Sequence, residues 1–225
     1  MSINHETRVC VVCMNRIKPF AELINAFPIQ EHTVRFNTIG DEWQQLFGQY
    51  RELPAIFCSL QNREGVYTIS RADVFAETDT KLRIIKTLIW GFPNGYRGMH
   101  TLEKIMANMG RVTDILGHLS PRYTQIQMCD LFREITAIPG LGFSTVTKLL
   151  YFFNVRVGNY KAVIVDSNVL KAIPKINEMK HCPFDCSPES YYQQIGYINR
   201  ISERLEIDGP DKLEYFLFNF GKSIK

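Results

Sequence analysis

Asp166 is the residue whose type and position most clearly suggest chemistry. It follows the apolar run 162–165 and precedes Ser167, Asn168 and Val169, so its carboxylate stands where a helix is predicted to begin. A carboxylate that is held in place can stabilise a positive charge developing in a transition state, or can activate a nucleophile. Asp-Ser-Asn before an apolar helix is also what N-terminal capping alone would select, and the two roles are compatible.

A glycine-bounded turn precedes Asp166 in the chain. The segment 138–142, Ile-Pro-Gly-Leu-Gly, separates the end of one predicted helix from the start of the next. We expect Gly140 and Gly142 to permit positive φ and the close approach of an anion, with Leu141 anchoring the turn in the core. Amides at 143–145 would then form an anion site that suits a DNA phosphate of any sequence. An ordinary interhelical turn is the alternative.

The stretch from Ile135 to Ile173 resembles the helix-hairpin-helix region of DNA repair glycosylases. In that superfamily an apolar approach leads from the hairpin to an aspartate that opens the next helix, and Asp166 matches that aspartate. The run Asp-Ser-Asn-Val is similar to the adenine-excising branch. The segment 148–153, Lys-Leu-Leu-Tyr-Phe-Phe, is similar to small 8-oxoguanine-glycosylase-like proteins. The helices from Asp79 onward match the superfamily only in number and order.

The resemblance implies a DNA base-excision glycosylase that hydrolyses the N-glycosidic bond of a damaged or modified base, with Asp166 as its essential carboxylate. The partner would be double-stranded DNA with the base flipped out of the stack, and an oxidised purine such as 8-oxoguanine is the favoured substrate. The alternative is a non-catalytic helix-hairpin-helix DNA-binding protein. The discriminating feature is whether Asp166 lines a pocket large enough for a base.

Ser144 and Lys148 bear on the mechanism. Bifunctional members of the superfamily carry a lysine two residues after the second hairpin glycine, where this chain has Ser144. That difference resembles the monofunctional members, so we expect water to attack the sugar. Lys148 lies one turn further along roughly the same side and could act as a displaced nucleophile in a glycosylase/lyase, or could be solvated or facing a phosphate. The interval from Ser144 to Asp166 is long for the family, so we expect the loop 154–161 to bulge.

Aromatic side chains at two places are candidates for a base pocket. Trp90, Phe92 and Tyr96 lie in a Gly-rich corner with Arg97, and Phe218 lies in the last helix, where the superfamily can place a base-stacking ring. Aromatic residues at helix ends are more often part of the core. The residues expected to contact DNA are Gly140, Leu141, Gly142, Phe143, Thr145 and Arg97.

Paired cysteines suggest a metal site at first sight. Cys10 and Cys13 lie in an apolar run, however, and Cys182 and Cys186, beside His181, are distant from them in sequence. The four-cysteine spacing of iron–sulfur glycosylases is missing. We therefore expect no zinc, no iron–sulfur cluster and no cofactor, and the resemblance leaves room only for a structural monovalent cation at the hairpin.

Composition and charge set broad limits. The chain has 225 residues with 45% hydrophobic and 22% charged residues, and a formal net charge of +3, which permits a polyanionic partner without requiring one. No apolar run approaches the roughly 20 residues that span a bilayer, and the N-terminus is a poor signal peptide. We expect a cytoplasmic, DNA-associated protein that is monomeric and has no membrane partner.

The apolar periodicity predicts a mainly all-α fold. We expect a helical glycosylase-type bundle whose two lobes flank a DNA cleft, formed by residues 79–225, with an N-terminal region 1–78 that is partly helical and packs on this body. Within that region, Asp41 to Leu53 is predicted to be a helix ending at Pro54, and 55–60 with 66–69 a small β-hairpin. The last helices are predicted at 191–205 and 212–223.

Overall fold

The computed structural model describes residues 16–95, 101–120 and 122–224. Over these ranges the protein is mainly α-helical, which confirms the predicted fold class, and two short antiparallel strand pairs complete it. The helices are α1 (Ala21–Ala26), α2 (Asp41–Leu46), α3 (Glu52–Leu60), α4 (Arg71–Phe75), α5 (Thr80–Gly91), α6 (Thr101–Ala107), α7 (Met109–Gly117), α8 (Gln125–Thr136), α9 (Phe143–Phe152), α10 (Ser167–Ala172), α11 (Pro188–Arg204) and α12 (Pro210–Ser223). The strands are β1 (Thr33–Phe36), β2 (Tyr67–Ser70), β3 (Arg156–Val157) and β4 (Tyr160–Lys161).

The N-terminal region corrects two of the predictions. The helix that begins at Asp41 ends at Leu46, and Pro54 lies inside the first turn of α3 rather than stopping a helix. Proline is tolerated there because the first amides of a helix have no acceptor within it. Residues 55–60 are therefore helical, and the predicted hairpin with 66–69 is wrong. A short apolar run fits a strand or a buried helix equally well, and burial of Ile56, Phe57 and Leu60 on one face favours the helix.

The N-terminal sheet pairs strands that are far apart in sequence. β1 and β2 are antiparallel, with Thr33 opposite Ser70 and Phe36 opposite Tyr67. The pairing extends one step further, because the amide of Arg71 donates to the carbonyl oxygen of His32 at 3.1 Å. A capping box between Ser70 and Asp73 then starts α4. The sheet thus places His32 and Arg71 side by side.

The C-terminal helices follow the predicted pattern closely. α5 ends at Gly91, α7 succeeds α6, and α11 and α12 cover the two late helices. The loop 154–161 forms the tight β3–β4 hairpin, with Asn154 and Gly158 at positive φ. One hydrophobic core includes residues from both sides of position 79, such as Trp43, Leu88 and Leu217. Within the described ranges, no helix combines the length and apolar character needed to cross a membrane.

Gly221 allows α12 to lie directly against α10. A Cβ at this position would collide with the backbone carbonyl of Asn168, so only glycine permits the approach. These two helices make the most extensive contact between elements in the described part of the chain. Because α10 starts immediately after Asp166, this packing fixes where the Asp166 carboxylate stands.

Candidate active site

The hairpin turn between α8 and α9 depends on its two glycines in different ways. Gly140 has φ +92°, and a Cβ there would lie 2.6 Å from the carbonyl oxygen of Thr101 and 2.8 Å from Ile105 Cγ1. Gly142 has φ −86° and ψ 170°, an extended conformation open to any residue, so positive φ at both glycines was a wrong expectation. Leu141 is buried, as predicted. Gly140 therefore allows the turn to pack closely against α6, whereas the space that a Cβ of Gly142 would occupy is open.

The amides at the start of α9 are only partly available to a ligand. Those of Thr145 and Val146 both donate to the carbonyl oxygen of Gly142 at 3.0 Å, and the Thr145 side chain is buried. A helical turn therefore already uses the amide of Thr145, and a contact of this residue with DNA stays a prediction. Among the described residues, none accepts a hydrogen bond from the backbone amides of Phe143 and Ser144. The anion site expected here is reduced to those two groups.

A cavity of about 870 Å³ lies between the end of α5, α9, the start of α10 and α12. The candidates Ser144, Lys148 and Asp166 share this cavity. So do the aromatic candidates Trp90, Phe92 and Phe218, although they lie far apart in sequence. Tyr96 and Arg97 fall outside the described residues. The tertiary structure thus brings every described candidate for chemistry or base stacking to one place.

Asp166 is fixed from two directions. Its Oδ1 accepts hydrogen bonds from the amides of Asn168 at 2.9 Å and Val169 at 3.1 Å, so it is the N-cap of α10. The preceding residue, Val165, donates its amide to the hydroxyl of Thr147 on α9 at 3.1 Å. The carboxylate is half-buried in the cavity wall. Capping consequently orients Asp166 without removing it from the cavity.

Lys148 extends back along α9 toward its N-terminal end. Its Nζ donates to the hydroxyl oxygen of Ser144 at 2.7 Å and lies 5.0 Å from the centroid of the Phe92 ring. Only 5% of the residue is exposed. Burial lowers the pKa of Lys148, and the nearby carboxylates of Asp166 and Glu214 partly oppose this effect. A lysine in this environment gives up its proton more readily than one in water.

A buried polar network that the sequence did not suggest forms another part of the cavity wall. Arg71 pairs with Glu214 at 2.9 Å, donates to the hydroxyl of Tyr151 at 3.0 Å and donates from Nε to His32 Nδ1 at 3.3 Å. Burial raises the pKa of Glu214 to about 7, although Arg71 opposes it. Burial, followed by the charge of Arg71, lowers the pKa of His32 to about 4. Local sequence carries no signal for this network, because its members are separated by long stretches of chain.

The cysteines and histidine considered as metal ligands are not gathered in the part of the chain described. Cys182 is buried and Cys186 is exposed, and both are free thiols. Among the described residues, no group of three or more His, Cys, Asp or Glu side chains is arranged to hold a metal ion. Cys10 and Cys13 lie outside those residues.

A mainly helical fold in which a capped aspartate and a buried lysine border one cavity, with a glycine turn just before the helix that carries the lysine, defines a protein of the DNA-glycosylase-like class. The chain belongs to the OGG family, described as "Putative 8-oxoguanine DNA glycosylase OGG-like protein", whose model matches residues 28–218. No curated protein and no solved structure matches the chain. The matched range includes residues 28–78, where the sequence by itself shows no resemblance. Membership of this family implies DNA as a partner.

Proposed function

We propose that this protein excises a damaged or modified base from double-stranded DNA by breaking its N-glycosidic bond, with Asp166 as the essential carboxylate. The observation that carries this proposal is that Asp166, held by two backbone amides, lines the cavity of about 870 Å³ together with aromatic side chains and a buried lysine. An oxidised purine, 8-oxoguanine first, is the favoured substrate, in keeping with the family's description.

The size and lining of the cavity favour an enzyme over a non-catalytic DNA-binding protein. Ligand pockets typically measure about 300–1,000 Å³, and the cavity falls in this range. A protein that only bound the phosphate backbone would need the hairpin but no cavity beside it. If Asp166 were an N-cap alone, its carboxylate could be sealed under neighbouring side chains, whereas it is half-buried in the cavity wall.

Asp166 would act on the sugar of the flipped nucleotide. As the bond between C1′ and the base nitrogen breaks, the base leaves with the bonding electrons and the sugar acquires oxocarbenium character. Because Oδ1 is engaged by two amides and no described donor bonds to Oδ2, Oδ2 is free to face the developing positive charge. A water molecule then forms the new bond to C1′ and gives up a proton, which the carboxylate can accept.

The hairpin would hold the DNA while the base is out of the stack. The amides of Phe143 and Ser144 lie in the first turn of α9 and form the positive end of its dipole, which suits a phosphate oxygen. Gly142 leaves open space in front of them. Such contacts read no base and fix only the position of the backbone. The base itself would enter the cavity, where Trp90, Phe92 and Phe218 offer ring faces or edges.

A second candidate function, strand cleavage through Lys148, is favoured by the position of Nζ. The sequence alone favours the water route because Ser144 replaces the usual lysine. Lys148 nevertheless brings its amine to within 2.7 Å of Ser144 Oγ, inside the cavity and with a lowered pKa. A neutral amine could form a bond to C1′ as the base leaves, lose a proton and open the sugar to an imine. Loss of the 3′ phosphate by β-elimination would then cut the strand.

An assay with duplex oligonucleotides, each with a single modified base, tests the proposed function. We expect wild-type protein to release at least one oxidised purine, detected as an abasic site that alkali converts into a strand break. Asp166→Asn should leave every oligonucleotide intact. Absence of release from the whole panel by wild-type protein that still binds DNA would support the non-catalytic alternative.

A further inference from the structure

His32 occupies a position in the cavity wall that the proposed mechanism does not use. It follows a short 3-10 turn, precedes β1 and lines the cavity together with Lys148 and Asp166. Its ring packs edge-on against Trp90, with centroids 5.2 Å apart, and lies 4.4 Å from the ring of Tyr215. Packing between aromatic rings holds the imidazole in one orientation.

Arg71 determines which nitrogen of His32 carries the proton. Arginine stays charged and can only donate, so its Nε–H requires an acceptor, and His32 Nδ1 at 3.3 Å supplies the lone pair. The other guanidinium nitrogens are held by Glu214 and the Tyr151 hydroxyl, so Arg71 cannot turn away. The neutral imidazole must therefore carry its proton on Nε2. No described residue accepts a hydrogen bond from this nitrogen.

The neutral form of His32 is maintained by its surroundings. The residue is half-buried, and Arg71 and Lys222 both place positive charge near it. These effects lower its pKa to about 4, so the imidazole is uncharged at neutral pH. Nε2–H is thus an uncharged hydrogen-bond donor. It favours a group on the ligand that accepts a hydrogen bond over one that only donates, and it carries no charge that would attract every anion.

Trp90 adds an independent observation in the same wall. Its Nε1–H is buried, and no described residue accepts a hydrogen bond from it. Indole N–H groups that are buried in proteins usually have a partner. Two ring N–H donors that have no acceptor among the described residues therefore belong to touching side chains, and both side chains line the cavity.

We propose that His32, aligned by Arg71, determines substrate specificity by donating a hydrogen bond from Nε2 to a carbonyl oxygen of the extruded base. The proposal rests on the proposed base excision. A base with an amino group or a C–H at that position would leave the donor unpaired, and a site built around a hydrogen bond rejects such analogues strongly. The substrate class is accordingly a keto base, and His32 acts on selection rather than on bond cleavage.

The first test changes the base and leaves the protein intact. Single-turnover kcat/KM is measured for wild-type protein on duplexes that contain 8-oxoguanine, 8-oxoadenine or guanine. 8-Oxoadenine has an amino group instead of the carbonyl at position 6 and lacks the 2-amino group, and guanine lacks the carbonyl at position 8. We expect at least one replacement to lower kcat/KM by about 100-fold or more. Equal excision of all three bases would overturn the specificity proposal but leave base excision standing, whereas excision of none would overturn both.

The second test changes the donor. In His32→Leu the preference for 8-oxoguanine over the other two bases, measured as the ratio of kcat/KM values, should fall by about tenfold or more. The main cause should be a decrease of kcat/KM for 8-oxoguanine. His32→Gln should retain most of the preference, since its amide can accept from Arg71 and still donate. Val34→Ala is the packing control, because Val34 lines the same cavity without a polar group. A preference that survives in His32→Leu, or one lost equally in Val34→Ala, would overturn the proposal.

Folding of the variants is checked by far-ultraviolet circular dichroism and thermal unfolding. If His32→Leu does not fold, the comparison of His32→Gln with His32→Asn replaces it, because the shorter amide cannot reach both Arg71 and the base. Asn should then lose the preference that Gln retains, and equal preferences in these two variants would contradict the role of His32.

Discussion

Lys148 Nζ lies 2.7 Å from Ser144 Oγ, one helical turn closer to the hairpin. The amine of Lys148 therefore stands beside the side chain that occupies the superfamily's usual lysine position, and both line the cavity that contains Asp166. Whether the protein can form a covalent intermediate with DNA therefore depends on how far the Lys148 side chain extends, and not only on which residue occupies position 144.

Borohydride trapping separates the proposed water route from the second candidate, a covalent intermediate between Lys148 and DNA. Sodium borohydride reduces an imine to a stable bond, so a cross-link between wild-type protein and a duplex containing 8-oxoguanine would reveal the Lys148 route on a denaturing gel, whereas the proposed water route should release the base without one. Lys148→Gln should abolish the cross-link, whereas Lys171→Gln, a lysine on the exposed side of the same cavity, should retain it. Release of the base without any cross-link would establish the water route that Ser144 suggests.

Asp166→Asn should lower the rate of base excision by about 100-fold or more while leaving DNA affinity unchanged. Asparagine caps a helix about as well as aspartate, so α10 should stay in place and only the negative charge is lost. Excision kinetics and fluorescence anisotropy on the same duplex measure the two quantities. Asp114→Asn, on the exposed face of α7, is the matched control. A parallel loss of folding and binding would assign Asp166 a structural role.

Gly142→Val should weaken the binding of every DNA sequence to a similar extent, by about tenfold. The expected cause is obstruction of a phosphate at the amides of Phe143 and Ser144, where a hydrogen bond to a charged group is worth about 1.5–3 kcal/mol. The fold should tolerate the change, because a Cβ at Gly142 meets no atom within 4 Å. Gly48→Val is the control, since Gly48 has equally open surroundings. Loss of affinity for only some sequences is incompatible with a phosphate contact.

Arg71→Met should lower the free energy of unfolding by about 3–5 kcal/mol, because it leaves the Glu214 carboxylate buried without its partner. The double variant Arg71→Met/Glu214→Leu should lose less than Arg71→Met alone. Urea unfolding of the single and double variants measures this coupling. Arg133→Met is the exposed control and should cost less than about 1 kcal/mol. Additive losses in the double variant would contradict a tightly coupled pair.

His32 should make the protein less stable in acid. Its pKa is about 4 in the folded protein and 6.5 in the unfolded chain, so between these values the unfolded chain binds more protons. The contribution of His32 to stability is therefore complete above pH 6.5 and is lost as the pH falls toward 4. Urea unfolding at several pH values should show this decrease as the difference between wild-type protein and His32→Gln. A difference independent of pH would exclude the lowered pKa.

The sequence by itself determined the helical character, the hairpin and the position of Asp166. These features are local: helix periodicity, a Gly-Leu-Gly turn and a capping residue each occupy a few consecutive positions. The same local rules failed at 55–60, where a short apolar run did not distinguish strand from helix, and they did not show that a helical turn uses the amide of Thr145.

Only the tertiary structure decided what surrounds Asp166. Arg71 and Glu214 are separated by 143 positions, and His32 reaches Arg71 only because β1 pairs with β2. No local pattern marks such a contact, since it depends on how distant elements pack around a shared core. The burial that lowers the pKa values of Lys148 and His32 arises in the same way. The sequence therefore located the carboxylate, whereas long-range packing created the cavity, the shifted pKa values and the hydrogen-bond donor of His32.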